Sequence, residues 1–396
     1  MLASKLVEKG HDVVWWNSDF DHHRKRHRNR QDRSIQIQPN FEVRLLKSLG
    51  YKAHVGPRRL LNNVLMARRW RTQSRTETPP DLLFSAWPTP ELSLEATKYA
   101  GTHGVPSVID IRDLWPTLWL DLFPERLRPI GRILLHHYFR MTRTTMTDAT
   151  AITGATDSYV DWGVGYSGRA RRDSDRSFGF RFRSVDLDAD SRAEARLVLD
   201  GMGYQPDERI QIVFAGAFSR SFELKTIIEA GRWLDANTAG RLRIVMCGSG
   251  DRWNQIEIAA RDIDSVLVLP RLDLRELTFL YEQSSLGLAP YRDIENFQRN
   301  IPNKINEYLQ MSLPIVAGVG GAIANLIDDH GVGVRYRSED PISMAEELTK
   351  LALDPDRLQT FRMRASAYRD DHINQCDDID RLATHLVGLA QAESTR

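Results

Sequence analysis

Short apolar runs alternate with longer amphipathic stretches in the second half of the chain, from Arg209 onward. The runs have the length of buried strands and predict strands at Ile212–Ala215, Arg243–Cys247, Ser265–Leu269, Leu286–Ala289, Ile315–Ala317 and Gly333–Tyr336. Between them, apolar residues recur every three or four positions, which predicts helices at Leu224–Leu234, Arg252–Arg261, Leu274–Glu282, Pro302–Met311, Ala322–His330 and Ile342–Leu353. This alternation is typical of a parallel, doubly wound α/β sheet.

The first half shows the same alternation less regularly. Strands are predicted at Asp12–Trp16, Glu42–Leu46, Asp81–Trp87, Pro106–Ile111 and Ala149–Thr153, and helices at Met1–Gly10, Arg58–Arg71 and Glu91–His103. The stretch Gly163–Asp190 is polar, rich in arginine and serine and almost without periodicity, so we interpret it as a long loop and linker. Because 396 residues exceed one typical hydrophobic core, we expect two domains.

The net charge of +1 conceals an asymmetry between the two halves. Residues 1–185 hold 30 lysines and arginines against 19 acidic residues, a net charge of +11, and the remainder holds 24 against 34, a net charge of −10. A basic half favours an acidic partner such as anionic lipid, nucleic acid or a phosphorylated substrate. The two cysteines provide neither a disulfide framework nor a metal site, and no apolar run reaches the ~18 residues of a membrane-spanning helix. We therefore expect a cytoplasmic protein.

The segment that follows Asn300 has the features of an anion-binding helix. Pro302 suits a first helical turn, because its missing N–H would be unpaired there, and Asn300 or Asn303 can cap the start. The free N–H groups and the helix dipole then favour a negative ligand. Lys304 and Glu307 are three residues apart and share one face of this helix.

The strand after this helix ends in a glycine-rich turn at Gly318, Gly320 and Gly321. Glycine in such a turn lets the backbone approach a ligand closely. The anion site, the carboxylate and the glycine turn together indicate a sugar nucleotide, with its diphosphate on helix amides and its ribose hydroxyls on Glu307. The alternative is that Lys304 and Glu307 form an ordinary surface ion pair worth about 0.2–0.5 kcal/mol.

A charged pair, Arg112 and Asp113, follows the predicted strand Pro106–Ile111. Open α/β sheets place ligand-contacting groups at the carboxyl ends of their strands. Trp115 and Trp119 would then line a pocket wall. The alternative is a surface Arg112 and an Asp113 that caps a helix.

Three further kinds of segment leave alternatives open. The histidines of the loop Asp21–Arg30 either bind a metal or belong to a solvated or anion-contacting loop. The basic stretch Glu125–Met146 either lies on a membrane surface or packs on the sheet with its arginines outward, and the helix Arg58–Arg71 is a second membrane candidate. Asp186-Leu187-Asp188 has the spacing of a metal-binding D-x-D pattern, which is common by chance.

The ordered motifs of the second half resemble those of a retaining glycosyltransferase of family 4. They are Phe214-Ala215-Gly216, Cys247-Gly248-Ser249-Gly250, Gly287-Leu288-Ala289-Pro290-Tyr291, Pro302-Asn303-Lys304 with Glu307-Tyr308, and Gly320-Gly321. The segment Asp110-Ile111-Arg112-Asp113-Leu114-Trp115-Pro116 is similar to one in a branch of bacterial surface-polysaccharide glycosyltransferases. The resemblance covers essentially the whole chain and is strongest from Ile212 to Tyr336.

This resemblance implies an α/β fold of GT-B type, with two Rossmann-like doubly wound parallel-sheet domains facing a central cleft. Residues 1–185 would form the N-terminal acceptor-binding domain and residues 186–375 the C-terminal nucleotide-sugar-binding domain. Residues 376–396 would form a last helix that packs back on the N-terminal domain. The family normally opens with a strand and a glycine-rich loop before its first helix, whereas this chain starts in that helix. We expect that first strand to be missing, and favour a mis-assigned start over a crippled domain.

The resemblance also assigns roles in donor binding. Glu307 matches the second of two family glutamates and would hold the donor ribose, whereas the first, which contacts the donor sugar, falls at Arg299. Arg220 and Lys304 would supply positive charge to the diphosphate. The remaining substrate-binding residues implied by the resemblance are Pro302, Asn303, Gly216, Gly320, Gly321 and, beside the base, Arg271.

Arg112 and Asp113 match a histidine-containing segment of the family that faces the reacting carbon. Asp113 would orient or deprotonate the acceptor hydroxyl, and Arg112 would balance the leaving phosphate. Both are candidate catalytic residues.

These features predict a metal-independent transfer of a sugar, with retention, from a nucleoside diphosphate sugar to a lipid-linked or polysaccharide acceptor. The donor would be UDP-linked, the process cell-surface polysaccharide biosynthesis, and no metal or other cofactor is expected. The basic domain would associate with the anionic inner face of the membrane, and no nucleic-acid-binding motif is visible. The alternatives are a sugar-nucleotide epimerase of the same architecture and a catalytically inactive sugar-nucleotide-binding scaffold.

Overall fold

The chain forms two compact units in the computed structural model, which describes residues 1–22, 25–51, 56–179, 185–374 and 378–394. One unit contains Met1–Gly179 and Asp378–Arg396, and the other contains Phe180–Asp377. His23, one of the histidines of the basic loop, and Cys376, one of the two cysteines, lie outside the described residues. The predicted domain limits after residues 185 and 375, and the roles of the domains, stay predictions.

The first unit contains several small sheets and the helices that cover them. Its elements are α1 (Leu2–Glu8), β1 (Val13–Ser18), β2 (Phe20–Asp21), β3 (Arg26–His27), β4 (Arg33–Gln38), β5 (Phe41–Leu46), α2 (Pro57–Ser74), β6 (Leu83–Trp87), α3 (Pro90–His103), β7 (Ser107–Ile111), α4 (Arg128–Leu134), α5 (His136–Asp148), β8 (Ala151–Gly154), α6 (Asp157–Ser167) and β9 (Arg176–Ser177). Two 3₁₀ turns, Thr117–Leu122 and Glu125–Leu127, precede α4. The strands form a β1-β5-β4 sheet, a β6-β7-β8-β9 sheet and a β2-β3 hairpin.

The β6-β7-β8-β9 sheet is parallel throughout, and its two middle strands are fully buried. All five residues of β7 are buried, as expected for a parallel strand covered by helices on both faces. Its apolar neighbours include Trp87, Met146 and Tyr159, each fully buried. Within the described ranges, no strand pairing joins β1 to β6, and the missing first strand stays a prediction.

The second unit is one parallel six-stranded sheet in the order β12-β11-β10-β13-β14-β15. Its elements are α7 (Ala189–Gly201), β10 (Ile210–Ala217), α8 (Leu224–Asn237), β11 (Leu242–Ser249), α9 (Trp253–Ala260), β12 (Val266–Leu269), α10 (Leu274–Glu282), β13 (Leu286–Ala289), α11 (Glu295–Gln298), α12 (Asn303–Gln310), β14 (Ile315–Ala317), α13 (Ala322–His330), β15 (Gly333–Arg335), α14 (Pro341–Ala352) and α15 (Pro355–Tyr368). A π-helical turn, Arg369–Asn374, follows α15. The apolar runs of the sequence thus become strands buried between helices, with Ile212, Val213 and Phe214 inaccessible to solvent.

The last helix, α16 (Asp378–Ser394), packs within the first unit. Leu382 and Leu386 join Val108 of β7 and Phe178 in one apolar cluster. Lys9 Nζ lies 2.9 Å from the Asp380 carboxylate and adds an ion pair beside this cluster.

Two segments predicted as loops are partly regular. The basic loop Asp21–Arg30 contains the end of the β2-β3 hairpin, which the buried Asp19 carboxylate stabilises by accepting from His27 Nδ1 at 2.9 Å and from Ser48 N at 2.8 Å. The start of the predicted linker Gly163–Asp190 continues α6, because Thr156 caps that helix and Val164 is buried in the core. Most residues of these two segments are polar, so the sequence pattern indicates neither the β2-β3 pair nor the end of α6.

Candidate functional site

The strand order of the six-stranded sheet has a topological switch point between β10 and β13. From β10 the chain proceeds outward to β11 and β12 on one side, and from β13 to β14 and β15 on the other. Open α/β sheets bind ligands in the crevice outside the carboxyl ends of their strands at such a point. Gly216 lies at the carboxyl end of β10 and Pro290 directly follows β13, so the crevice is bordered by these two strand ends.

Helix α12 is fixed at this switch point by Tyr308. Its fully buried hydroxyl donates to the carbonyl oxygen of Leu288 in β13 at 2.9 Å and lies 3.2 Å from that of Val213 in β10. Gly287 is required beneath the ring, because a Cβ there would overlap Tyr308. Tyr308 therefore fixes α12 against the two central strands of the sheet.

Lys304, in the first turn of α12, carries a buried ammonium at this edge. The residue is 8% exposed, and its Nζ lies 5.4 Å from the centroid of the Phe214 ring. A Cβ on Gly216 would come within 2.9 Å of Nζ, so the glycine leaves the space that the ammonium occupies. Within the described residues, Lys304 forms no ion pair with an acidic side chain within 4.0 Å.

Burial lowers the pKa of Lys304, although the nearby Glu307 carboxylate and Cys247 oppose that shift. A buried ammonium without a close counter-charge is costly, because burial removes the water that would solvate it. An anionic ligand would supply that missing charge. The alternative of an ordinary surface ion pair between Lys304 and Glu307 is therefore not what the described residues show.

Glu307, one helical turn further along α12, has one carboxylate oxygen fixed and one available. Tyr281 of α10, which is 1% exposed, donates its hydroxyl to Glu307 Oε2 at 2.8 Å. Burial raises the pKa of Tyr281 well above its ordinary value, so the phenol remains a donor at all physiological pH values. The carboxylate is thus held in a fixed orientation, which suits it to accept a hydroxyl from a ligand.

The cap predicted for this helix is not formed by asparagine. Pro302 occupies the N-cap position and no side chain accepts a hydrogen bond from the first turn. Asn303 is the first helical residue and is exposed, whereas the buried Asn300 Oδ1 has no hydrogen-bond partner among the residues that the structure describes. The start of α12 therefore keeps its backbone N–H groups for another partner.

The glycine turns have different physical causes. A Cβ on Gly248 would overlap the carbonyl oxygen of Gly216, and Phe218 N donates to the Ser249 carbonyl at 2.9 Å, so the turn after β11 packs directly on the turn after β10. Gly321 has φ +66°, and a Cβ there would overlap the Gln298 carbonyl oxygen. These two glycines allow close loop packing, whereas Gly216 makes room for a charged side chain.

The remaining donor-site predictions lie on segments that follow the strands of this sheet. Arg220 is exposed three residues after the end of β10, and Arg271 is exposed two residues after the end of β12. Arg299 forms an ion pair with Glu295 of α11 at 3.0 Å. Gly320 donates its N–H to the Asp293 carboxylate at 2.9 Å.

In the first unit, Arg112 and Asp113 follow the carboxyl end of β7. Arg112 forms an ion pair with Asp110, which is 1% exposed and also accepts from Thr153 Oγ1 at 2.8 Å. Asp113 is half-buried and interacts electrostatically with Arg59, whose guanidinium lies 4.4 Å from the Trp115 ring centroid.

The tryptophans that were expected to line a pocket wall belong to the core. Trp115 and Trp119 are buried against one another, with centroids 4.6 Å apart. Close by, the buried Glu91 accepts from the Tyr138 hydroxyl at 3.2 Å, and burial raises the pKa of Glu91. Sequence reasoning missed Arg59 and Glu91, which the pattern marked only as members of two helices.

Neither a metal cluster nor a membrane-crossing helix occurs in the part of the chain that the structure describes. No three His, Cys, Asp or Glu side chains there gather closely enough to hold a metal ion. None of the described helices combines the length and hydrophobicity needed to cross a membrane. Metal independence stays a prediction.

Comparison with known proteins identifies the fold. Residues 209–354, which include Lys304, Glu307 and the glycine turns, match the family model for glycosyl transferases group 1. Sucrose-phosphate synthase from Thermosynechococcus elongatus superposes with a TM-score of 0.68 at 13% identity, covering 100% of this chain and 90% of that one. The chain has the GT-B glycosyltransferase fold.

Two further GT-B structures resemble the chain over nearly its whole length. A UDP-forming α,α-trehalose-phosphate synthase from Burkholderia xenovorans has a TM-score of 0.66 and 16% identity, covering 98% of this chain and 97% of that one. WaaG, a glycosyltransferase involved in lipopolysaccharide biosynthesis, has a TM-score of 0.66 and 14% identity, covering 98% and 94%. No curated protein sequence matches the chain. The GT-B fold predicted from the sequence is confirmed.

Proposed function

We propose that the protein transfers a sugar from a UDP-linked donor to a lipid-linked or polysaccharide acceptor, with retention at the anomeric carbon. The observation that carries this proposal is the buried ammonium of Lys304 at the switch point of the six-stranded sheet, one helical turn from Glu307. The cation fits a diphosphate, and the oriented carboxylate fits the ribose hydroxyls. The second unit would therefore bind the donor.

Chemistry at the donor requires the bond between the anomeric carbon and the diphosphate oxygen to break. Negative charge then develops on the leaving UDP, where Lys304, Arg220 and the free N–H groups at the start of α12 would stabilise it without a metal ion. Asp113 would orient or deprotonate the acceptor hydroxyl, and Arg112 would help to balance the leaving phosphate. Pro302, Asn303, Gly320 and Gly321 would line the donor site, and Arg271 would lie near the base.

Names of the structural neighbours support the choice of donor and process. The trehalose-phosphate synthase is UDP-forming, and WaaG takes part in lipopolysaccharide biosynthesis. By analogy with these GT-B proteins, we propose uridine as the base and a bacterial cell-surface polysaccharide as the product.

Calorimetric titration tests the donor site. UDP, GDP and ADP are titrated separately into wild type and Glu307→Ala. We expect UDP to bind most tightly, and the variant to lose about 1–3 kcal/mol of binding free energy, the cost of leaving a ribose contact unmet. If wild type binds none of the three nucleotides, the proposal is wrong, and a scaffold role becomes the better interpretation.

The acceptor side is proposed to lie at an anionic membrane surface on the cytoplasmic face. Four large apolar side chains of the α4 region are exposed in the first unit: Leu127, Ile130, Ile133 and Leu134. Exposed arginines accompany them at Arg126, Arg128 and Arg132. An apolar face flanked by arginines suits insertion at the headgroup level of anionic lipid.

Vesicle flotation tests this surface. We expect wild type to float with vesicles of phosphatidylcholine and phosphatidylglycerol, and less with phosphatidylcholine alone. Ile133→Asp should reduce flotation, whereas Ile258→Asp, which changes an equally apolar exposed residue of the second unit, should not. Equal flotation of both variants and wild type would contradict the assignment of the α4 face.

A further inference from the structure

We propose that Asp293 is the carboxylate that recognises the hydroxyls of the donor sugar. The inference rests on the proposed function and extends it from the nucleotide to the transferred group. Asp293 lies between β13 and α11, on the segment that leaves the carboxyl end of a strand bordering the switch point. Its place in the fold therefore puts it at the edge that also carries Lys304 and Glu307.

One oxygen of Asp293 is fixed from two directions. Asp293 Oδ1 accepts from the backbone N–H of Gly320 at 2.9 Å and from Gln298 Nε2 at 2.9 Å. Gly320 belongs to the glycine turn that follows β14, and Gln298 is the last residue of α11. The carboxylate is thus anchored to two elements and cannot rotate freely.

The second oxygen is the one that a ligand would meet. No hydrogen bond to Asp293 Oδ2 occurs in the described residues, and the side chain is exposed. A carboxylate with one oxygen anchored and the other open is an oriented acceptor, and sugar hydroxyls are donors. A hydrogen bond from a hydroxyl to an ionised carboxylate is roughly twice as strong as a neutral one.

Two acidic side chains near this edge, those of Glu295 and Glu223, already have partners within the protein. Glu295 forms an ion pair with Arg299 at 3.0 Å. Glu223 is buried and accepts from Tyr336 at 3.0 Å and from Ser338. Glu307 is oriented by Tyr281 toward the proposed ribose site. Asp293 thus combines an anchored oxygen with an open one on the segment that leaves β13, while an arginine occupies position 299.

The substitution Asp293→Asn separates sugar recognition from support of the turn. An asparagine keeps an Oδ1 that accepts from Gly320 N–H, but replaces the open acceptor oxygen by an NH₂ donor. Affinities of wild type and variant are measured by calorimetry for UDP and for UDP-glucose, UDP-galactose and UDP-N-acetylglucosamine. We expect the variant to bind UDP within about twofold of wild type, and to bind the preferred UDP-sugar about tenfold more weakly or worse.

Glu295→Gln is the matched control, because it removes one negative charge two residues away. We expect it to leave the ratio of UDP-sugar to UDP affinity unchanged. If Asp293→Asn binds UDP and the UDP-sugar more weakly by the same factor, the ratio of the two affinities is unchanged, Asp293 has a purely structural role and the inference is wrong. The inference is also wrong if wild type binds UDP but none of the three UDP-sugars. Absence of UDP binding by wild type would instead refute the donor site itself.

Discussion

The two units place charged side chains at the carboxyl ends of parallel strands, but they neutralise them differently. In the first unit, Arg112 after β7 is paired with Asp110, whose other oxygen accepts from Thr153. In the second unit, Lys304 is buried beside Gly216 with no acidic side chain within ion-pair distance in the described residues. Among the described residues, an acidic side chain therefore neutralises the positive charge at the first of these edges but not at the second.

This difference indicates that the charge of Arg112 supports the fold, whereas the charge of Lys304 is suited to binding a ligand. A buried cation lowers stability unless a partner compensates it, so an unmatched one is retained where a ligand supplies the partner. Arg112 has its compensation within the protein, although a role toward a leaving phosphate remains part of the proposal. Under the proposed function, the donor diphosphate would compensate the charge of Lys304 more closely than the Glu307 carboxylate does.

The largest expected contrast is in thermal stability. Arg112→Met leaves the Asp110 carboxylate buried without its counter-charge, which should cost about 3 kcal/mol. Lys304→Met removes an uncompensated charge from a buried site, so its melting temperature should equal or exceed that of wild type. Calorimetric melting of the two variants compares them directly. If Arg112→Met keeps the wild-type melting temperature and Lys304→Met melts at a lower temperature, this prediction is wrong.

The pH dependence of UDP affinity sharpens the contrast further. Because burial lowers the pKa of Lys304, its ammonium loses a proton at lower pH than an ordinary lysine, whereas a bound diphosphate holds that proton. UDP affinity should therefore fall as the pH rises through the Lys304 pKa, which lies below that of an ordinary lysine, by up to about tenfold per pH unit.

The neighbouring groups do not titrate in the same range. Burial raises the pKa of Cys247 to about 12 and that of Tyr281 well above its ordinary value, so both stay neutral while Lys304 loses its proton. Lys304→Met should have a flat profile over the same range. A wild-type profile that is equally flat would contradict the assigned role of the ammonium.

A smaller effect is expected from the hydroxyl that orients Glu307. Tyr281→Phe removes the donor 2.8 Å from Glu307 Oε2 and should weaken UDP binding by about 0.5–1.5 kcal/mol. Tyr308→Phe is the matched change, since its hydroxyl bonds backbone carbonyls of β10 and β13. That variant should lose stability, so chemical denaturation and UDP titration of both variants separate the two roles. Unchanged UDP affinity in Tyr281→Phe would show that Glu307 needs no such support.

The smallest effect is expected at Gly216. An added methyl group at this position would meet the far end of the flexible Lys304 side chain, which can shift without disturbing the sheet. Gly216→Ala should therefore keep the wild-type melting temperature and weaken UDP binding by on the order of 0.5–1 kcal/mol. Full UDP affinity in this variant would show that the ammonium does not need the space above Gly216.

Much of the second unit followed from the sequence because its strands and helices alternate with a clear period. The three-residue spacing of Lys304 and Glu307 predicts that they share one helix face, and the structure puts that helix at the switch point. Asp110 and Arg112 are two residues apart at a strand end, so their pairing was also accessible from the alternation of strand side chains.

The features that were missed depend on residues distant in the chain. The burial of Lys304 requires the space above Gly216, and the orientation of Glu307 requires Tyr281 from another helix. The orientation of the Asp293 carboxylate depends on a hydrogen bond from the backbone N–H of Gly320, which lies far away in the sequence. Trp115 and Trp119 looked like pocket residues, because nothing in the local pattern indicates that they pack on one another.

The central claim is that Lys304 supplies the charge that binds a donor diphosphate. Its most direct test compares the affinities of UDP and uridine for wild type and Lys304→Met near neutral pH. We predict that the variant loses about 10- to 100-fold in UDP affinity, the equivalent of a hydrogen bond to a charged group, while uridine affinity does not change. Equal loss for both ligands, or unchanged UDP affinity in Lys304→Met, would contradict the account.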